Sequence, residues 1–359
     1  MLKLSMRSSS MLLLTLISGA AFSQGITVPR TPSPAATVSQ TIGISTVSVK
    51  YSRPAVKGRE IWGSLVPYGW NPLGNGTLAP WRAGANENTV IQFSHAANVE
   101  GQAVPAGSYG LFFVVNNDNT GEVILSKDSR SWGHFFYNPK QDQLRAKIQL
   151  RSIPNTELLT YDFENTTKTS AELVLNWEKK QFPVKIEFAV DDIVMANAAE
   201  ELKGPIGFNW QGYASAADYA AQNKVNYEKA SQWIDRALAQ DSSFTTLAIK
   251  SELLNAMGKN SEAQKIMNDL IAGATEIELN NYGYRLLNQR EYDKAIEVLI
   301  LNTQRYPKKA NTWDSLGEAY AKKGDKKNAI INFKKSLSSN PPAIVKANSE
   351  KYLKQLGAL

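Results

Sequence analysis

The chain contains no cysteine and only two histidines among its 359 residues. The lack of cysteine excludes disulfide bonds, thiolate metal ligands, cysteine nucleophiles and attachment of a lipid through an N-terminal cysteine. Two isolated histidines argue against a structural zinc site, and the sequence has no Gly-Xaa-Ser-Xaa-Gly elbow, phosphate-binding loop or dinucleotide fingerprint. The sequence therefore predicts no cofactor and no metal, and it favours a protein without enzymatic activity.

Long apolar runs are also absent, apart from a short one at the N-terminus. Lys3 and Arg7 give a basic start, an apolar run follows over residues 11–17, and small residues fill most of positions 19–23. This order is typical of a secretory signal peptide, which we assign to residues 1–23. Because a membrane helix needs roughly 18 apolar residues, we expect no transmembrane segment. We predict an exported bacterial protein that is periplasmic, associated with the cell envelope, or secreted.

The formal net charge of +7 gives no evidence of a nucleic-acid-binding surface. Residues 40–195 carry 15 basic and 15 acidic side chains, which cancel, whereas residues 196–359 carry 22 basic and 18 acidic ones. Much of the excess lies in lysine pairs near the C-terminus, which are typical of solvated helix faces. We expect no nucleic-acid partner; an acidic peptide or an anionic surface suits this charge better.

The first half of the chain has the pattern of a β protein. Residues 24–40 are rich in Pro, Ser and Thr, and they predict a flexible leader. From residue 41 onward apolar and polar side chains alternate in short runs that are separated by Gly, Pro and Asn turns. This pattern predicts an all-β sandwich over residues 41–192.

The pattern changes near residue 191, where alanine-rich segments with helical spacing begin. We predict a linker over residues 193–209 and helices over residues 210–357. Residues 310–341 carry large and small side chains at the spacing of a 34-residue helical repeat, and this segment resembles the tetratricopeptide repeat family. The residues that carry the resemblance are Trp313, Leu316, Gly317, Tyr320, Ala329, Phe333 and Pro341.

Weaker copies of the same pattern precede this repeat. Ala295, Ala263 and Ala230 recur at intervals of 32–34 residues upstream of Ala329. The region therefore predicts about four helix pairs and a capping helix, stacked as an all-α solenoid. The chain as a whole is expected to be multidomain, with the β-sandwich followed by this array.

In such an array the first helix of each pair forms the inner groove. We expect the groove to bind a protein or peptide, or to mediate self-association; bracing of the β-domain is the alternative. Acidic residues at two groove positions argue against capture of a C-terminal carboxylate. The residues predicted to face the groove are Asn280, Tyr284, Asn288, Asn311, Asp314 and Glu318.

The β region also resembles a known family. Several short phrases occur in the order typical of the domain-of-unknown-function 2911 family, whose members are exported bacterial proteins. The resemblance implies a β-sandwich and supplies no activity. The phrases are Tyr51-Ser52-Arg53-Pro54, Lys57-Gly58-Arg59, Ile61-Trp62-Gly63, Val66-Pro67-Tyr68-Gly69, Trp81-Arg82-Ala83-Gly84-Ala85-Asn86-Glu87-Asn88-Thr89, Val104-Pro105-Ala106-Gly107-Ser108-Tyr109-Gly110-Leu111 and Trp132-Gly133.

The segment over residues 81–89 concentrates the polar chemistry of this half. Arg82 and Asn86 are suited to hydrogen-bond a polar small ligand or a glycan that stacks on Trp81 or Trp132, with Glu87 beside them. An ion pair between Arg82 and Glu87 that only ties the loop is the structural alternative.

Two functions follow as hypotheses. The first is an exported, non-enzymatic envelope protein that joins a β-sandwich recognition domain to a protein-binding helical scaffold. The second is a hydrolase or lyase that acts on a polysaccharide or peptidoglycan fragment near Arg82, with Glu87 and His134 as weak catalytic candidates. The two hypotheses differ on whether Glu87 and His134 share one open cleft.

Overall fold

The structure is a computed structural model that describes residues 32–73 and 76–359. The predicted signal peptide, residues 1–23, lies outside these residues. The chain divides into two compact units, with the boundary between Phe188 and Ala189.

The first unit is built from antiparallel strands. One sheet has six strands in the order β1-β2-β5-β8-β9-β10, a second has four in the order β11-β12-β6-β7, and β3 and β4 form a small hairpin. The strands are β1 Ala35–Ile42, β2 Ser45–Ser52, β3 Asn71–Pro72, β4 Leu78–Ala79, β5 Val90–Phe93, β6 Ala97–Val99, β7 Gln102–Val104, β8 Gly107–Val115, β9 Thr120–Ser126, β10 Asp142–Gln149, β11 Arg151–Glu164 and β12 Ser170–Glu187.

The apolar alternation in the sequence places one face of each sheet in a shared core. In β2, for example, Val47 and Val49 are completely buried. Aromatic side chains join the two sheets: the rings of Phe113 and Phe182 lie 5.1 Å apart, and those of Tyr51 and Tyr161 lie 4.7 Å apart. The predicted β-sandwich is therefore confirmed.

Part of the predicted flexible leader, residues 24–40, belongs to the sandwich. Strand β1 begins at Ala35 and pairs with β2 along its whole length, with Ala35 opposite Ser52 and Ile42 opposite Ser45. The leader prediction therefore extended too far, because it judged this segment by its Pro, Ser and Thr content. The strand depends on hydrogen bonds to its neighbour, which composition does not reveal.

The second unit is helical, and its first helix replaces most of the linker predicted at 193–209. Helix α1 buries Met195 against α2, and a short 3-10 turn follows at Pro205–Phe208. The linker prediction was wrong because the alanines of this segment form a helix that packs into the core. The helices are α1 Val190–Glu201, α2 Trp210–Asn223, α3 Tyr227–Gln240, α4 Phe244–Ala256, α5 Asn260–Gly273, α6 Glu276–Asn288, α7 Tyr292–Arg305, α8 Ala310–Lys323, α9 Lys326–Ser338 and α10 Ala343–Gln355.

Helices α2 to α9 pack as four consecutive hairpins, and α10 packs on α8 and α9. Small residues permit the close crossings that the repeat pattern predicts. A Cβ atom on Gly317 of α8 would lie 2.9 Å from the ring of Phe333 of α9, so a larger residue would force the two helices apart.

The hairpins do not contact one another equally. Helix α4 packs closely on α2 and α3, and α8 packs closely on α6 and α7, whereas the backbones of α4 and α6 approach each other much less. Side chains bridge that junction, including the rings of Phe244 and Tyr282, whose centroids are 5.8 Å apart. In the part of the chain that the structure describes, no helix has the length and apolar character needed to cross a membrane.

Candidate functional site

Trp81 belongs to the core of the sandwich. Its backbone pairs with Phe113 of β8 through two hydrogen bonds of 2.8 and 2.9 Å. The indole is only 8% exposed; it stacks on Trp177 at 5.7 Å and contacts Trp62 at 5.6 Å. The predicted stacking of a ligand on Trp81 therefore has no open ring face to use, although the residue still lines a cavity.

Arg82 and His134 come together beside this core. Arg82 Nε donates a hydrogen bond to Nδ1 of His134 at 3.2 Å, and Nη1 donates to the backbone oxygen of Asn86 at 2.7 Å. A Cβ atom on Gly133 would lie 2.5 Å from Arg82 Nη1, and Gly133 has a φ of +62°. The positive φ favours glycine at position 133, and any larger residue would also displace the flexible end of the Arg82 side chain.

The environment of His134 keeps its imidazole neutral. Burial, together with the positive charge of Arg82, lowers the pKa of His134 to about 4. Because Nδ1 accepts the hydrogen bond from Arg82, the proton of the neutral ring lies on Nε2. A histidine in this state has no free basic nitrogen, so the geometry does not suit a general base. Burial also lowers the pKa of Arg82.

Glu87 and His134 do not share a cavity. Asn86 and His134 line one cavity, whereas Glu87 lines another with Lys50 and Arg130. The ion pair between Arg82 and Glu87, offered as the structural alternative, is not formed: Arg82 binds His134 and Asn86 instead. The structure thus separates the two catalytic candidates.

Trp132 lies on the same loop as His134 but is 48% exposed and does not line the cavity that contains Arg82. Phe135, two residues after Gly133, covers the Arg82 guanidinium, with the ring centroid 4.9 Å from the central carbon. The aromatic ring that packs on Arg82 is therefore that of Phe135, which was not among the predicted site residues.

The cavity beside Arg82, which we call the basic cavity, has a volume of about 630 Å³. Among the described residues four cationic side chains line it, and three of them were not predicted as site residues. These three, Arg53, Lys57 and Arg59, lie within seven positions of one another after β2. Three cations within so short a segment could have indicated a basic site from the sequence. What the sequence could not show is that the turn after β2 faces the segment over residues 81–89.

A second cavity, of about 640 Å³, lies along the helical array, and we call it the helical groove. Of the six predicted groove residues, Tyr284 and Asn288 line it. The other lining residues come from α2, α4 and α6, the first helices of three successive hairpins, and from the residue that follows α6. They are Gln222, Phe244, Thr245, Ala248, Asn281, Tyr282, Arg285 and Gln289.

The remaining predicted groove residues lie outside this cavity. Asp314 is 4% exposed and accepts hydrogen bonds from Asn348 and Ser349 of α10, and burial raises its pKa. Glu318 accepts a hydrogen bond from the hydroxyl of Tyr284 at 3.0 Å. Asp314 is unavailable to a partner because α10 covers it.

Asn311 makes a contact within the array itself, whereas in the described part of the chain no such contact is found for the side-chain oxygen of Asn280. Asn311 Nδ2 donates to Oε1 of Glu276 at 3.3 Å. Asn280 is half-buried on α6, and its side-chain oxygen has no hydrogen-bond partner among the described residues.

Arg285, a residue that sequence analysis missed, organises the helical groove. Its guanidinium forms ion pairs with Asp218 of α2 and Glu252 of α4, and all three side chains are about one-fifth exposed. These carboxylates raise the pKa of Arg285 although burial opposes them. The signal was present in the sequence, because these residues recur at the repeat period of 34 and 33 residues.

Within residues 32–73 and 76–359 no group of three or more His, Asp or Glu side chains is arranged to hold a metal ion.

Known proteins resemble each half of the chain separately. Residues 33–186 match the family described as protein of unknown function (DUF2911), and residues 310–342 match the tetratricopeptide repeat family. The N-terminal half resembles DUF2911. This match begins before β1, in agreement with the strand at Ala35, and the second match covers α8, α9 and the residues up to Pro342. No curated protein matches the chain.

Solved structures resemble the helical half. PilF of Pseudomonas aeruginosa is 23% identical, with 42% of this chain and 71% of PilF covered and a TM-score of 0.25. YrrB, described as a TPR protein with an unusual peptide-binding site, is 16% identical, with 45% and 89% covered and a TM-score of 0.26. PilW, described as a type IV pilus biogenesis factor, is 20% identical, with 48% and 88% covered and a TM-score of 0.27.

Proposed function

We propose that this chain is an exported, non-enzymatic protein of the bacterial cell envelope. Its β-sandwich recognises a polar ligand, and its tetratricopeptide-like helices bind a protein or peptide, or a second copy of the chain. The observation that carries the proposal is the helical groove, which runs across the first helices of three hairpins. The signal peptide predicted at residues 1–23 supports the location.

The chemistry of the helical groove suits an extended peptide. Amide side chains, including Asn281 and exposed Asn288, offer both donors and acceptors to a peptide backbone. Phe244 and Tyr282 add an apolar surface in the same groove. Arg285 is already paired with two carboxylates, so it holds the groove together rather than serving as the main contact for a ligand.

The hydrolase or lyase hypothesis receives no support from the site geometry. It requires Glu87 and His134 to act on one substrate, and these residues line different cavities. The hydrogen bond from Arg82 also occupies the basic nitrogen of His134. We therefore favour recognition over catalysis in the β-sandwich.

The partner-binding proposal can be tested by photo-cross-linking in cells of the native host. We would replace Asn288 in the groove with p-benzoylphenylalanine, and use Glu297, an exposed residue on the second helix of the same hairpin, as the matched control. We expect a discrete adduct from position 288 and none from position 297. An adduct that contains two copies of this chain supports the self-association form.

Two results would overturn this part of the proposal: no adduct from position 288, or the same adducts from both positions. Location is tested separately by fractionation and N-terminal sequencing. We expect the protein in the envelope fraction with Gln24 as its first residue, and an uncleaved chain in the cytoplasm would contradict export.

A further inference from the structure

The basic cavity gathers positive charge with no acidic side chain in its lining. Among the described residues that line it, four are cationic, namely Arg53, Lys57, Arg59 and Arg82, and none is Asp or Glu. Close to this set, Glu157 accepts a hydrogen bond from the backbone nitrogen of Lys57 at 2.9 Å. The three arginines, whose side chains are fixed by hydrogen bonds, are the cations considered below.

Neutral acceptors hold each of these arginines in place. Arg53 donates to the backbone oxygen of Leu159 at 3.0 Å and to Oγ1 of Thr160 at 2.6 Å. Arg59 donates to the backbone oxygens of Val56, at 3.0 Å, and of Ala55.

Arg82 is held in the same way, by His134 and by the backbone of Asn86. In the described part of the chain, no carboxylate forms an ion pair with any of the three arginines. Each keeps one terminal nitrogen that has no hydrogen-bond partner there: Nη1 of Arg53, Nη1 of Arg59 and Nη2 of Arg82.

This arrangement fixes the cations without neutralising them. Like charges that are gathered at one cavity repel one another, so this arrangement has an electrostatic cost. An anion in the cavity would reverse the sign of that energy and take up the free donors. Another donor at the cavity lining, the indole N–H of Trp177, is buried without a partner among the described residues.

We propose that the basic cavity is a binding site for a small molecule that carries an oxyanion, either a carboxylate or a phosphate. The inference rests on the proposed role of the β-sandwich as a recognition domain, and it assigns the ligand class. The volume of the basic cavity, about 630 Å³, lies in the range of small-molecule sites. The lining also includes apolar residues, such as Pro54, Leu65 and Leu158, that can cover the uncharged part of such a ligand.

The proposal can be tested by isothermal titration of the full chain with three molecules of matched size: glucuronate, glucose 6-phosphate and glucose. We expect one or both anions to bind with a Kd below about 1 mM, and glucose not to bind. Binding of glucuronate alone identifies a carboxylate site, and binding of glucose 6-phosphate alone identifies a phosphate site. The affinity should fall as salt is raised, because the attraction is electrostatic.

Variants then locate the site. We expect Arg59→Gln and Arg82→Gln each to weaken anion binding by about tenfold or more, since each loses a charge-assisted hydrogen bond. Arg130→Gln is the matched control, because this exposed arginine does not line the basic cavity. The Arg59 side chain is exposed, so this substitution should leave the fold intact if Arg82→Gln proves unstable.

The proposal is overturned if neither anion binds at about 10 mM, if glucose binds as well as the anions, or if Arg130→Gln weakens binding as much as Arg59→Gln. Any of these results would leave the cross-linking test of the helical groove unaffected. A wrong assignment of the ligand class and a wrong assignment of the helical groove as a binding surface can therefore be distinguished.

Discussion

The arginine of the helical groove and the arginines of the basic cavity are held in opposite ways. In the helical groove, Arg285 is clamped by the carboxylates of Asp218 and Glu252, and a third contact joins Glu252 to Gln289 at 3.0 Å. In the basic cavity, Arg53, Arg59 and Arg82 are held by backbone oxygens, a hydroxyl and an imidazole nitrogen.

The difference separates structural charge from charge that is available to a ligand. A paired guanidinium has its field cancelled locally and serves the packing of helices, as Arg285 does between α2, α4 and α6. A guanidinium held by neutral acceptors keeps its net charge, and its electrostatic field extends into the adjacent cavity. The partner of an arginine is therefore more informative than its exposure.

The largest effect that tests this comparison is expected at Arg285. Replacement by alanine leaves two partly buried carboxylates without their cation, and we expect the free energy of unfolding of the helical half to fall by about 3 kcal/mol. Urea unfolding followed by circular dichroism measures it. Lys265→Ala, an exposed change on α5, is the control and should have little effect. Equal stability of the two variants would show that the clamp is not structural.

The next prediction concerns a double variant that gives Arg285 neutral partners, like those of the arginines in the basic cavity. In the double variant Asp218→Asn and Glu252→Gln, Arg285 keeps neutral partners only. We expect a loss of about 2 kcal/mol in the free energy of unfolding, part of which sulfate restores by binding the folded state. The comparison is made against sodium chloride at the same ionic strength. The same response to both salts would show that an arginine with neutral partners is not more available to an anion than a paired one.

A smaller effect concerns the pH dependence of the β-sandwich. The pKa of His134 is about 4 in the folded state and near 6.5 when unfolded, so the unfolded chain binds more protons between these values. Stability is therefore complete above pH 6.5 and decreases as the pH falls toward 4. Because His134 is only half-buried, we expect a loss of about 1 kcal/mol. His134→Gln should remove this loss in thermal unfolding measured at pH 7 and pH 4.5.

The smallest effect is expected at Arg59. Its guanidinium is exposed and binds only nearby backbone oxygens, so Arg59→Gln should change the free energy of unfolding by less than about 0.5 kcal/mol. Chemical unfolding checks this value. A loss as large as that expected for Arg285→Ala would place Arg59 among the structural charges.

The sequence predicted the architecture well because each half repeats one period. Alternation of apolar residues identified the sandwich, and spacing near 34 residues identified the helix pairs. The errors lie where a segment depends on distant partners: β1 needs the hydrogen bonds of β2, and α1 needs the surface of α2. Composition alone described both segments as irregular.

The candidate sites were predicted less completely, for a related reason. Asn86, Arg82 and His134 were selected and do line one cavity, but Arg53 and Arg59 join them only through the packing of the sandwich. In the array, the repeat register placed Tyr284 and Asn288 in the groove, and both line the cavity described above. It placed Asp314 there too, because the register does not include the capping helix α10 that covers this residue.

The unequal contacts between hairpins have a mechanical consequence. The first two hairpins are joined by close backbone packing of α4 on α2, and the last two by close packing of α8 on α7. Helices α4 and α6, in contrast, are bridged by side chains such as Arg285. A solenoid under tension elongates first at its most compliant joint. Stretching this array would open the seam between the second and third hairpins, and thus widen the groove itself, before any helix unravels.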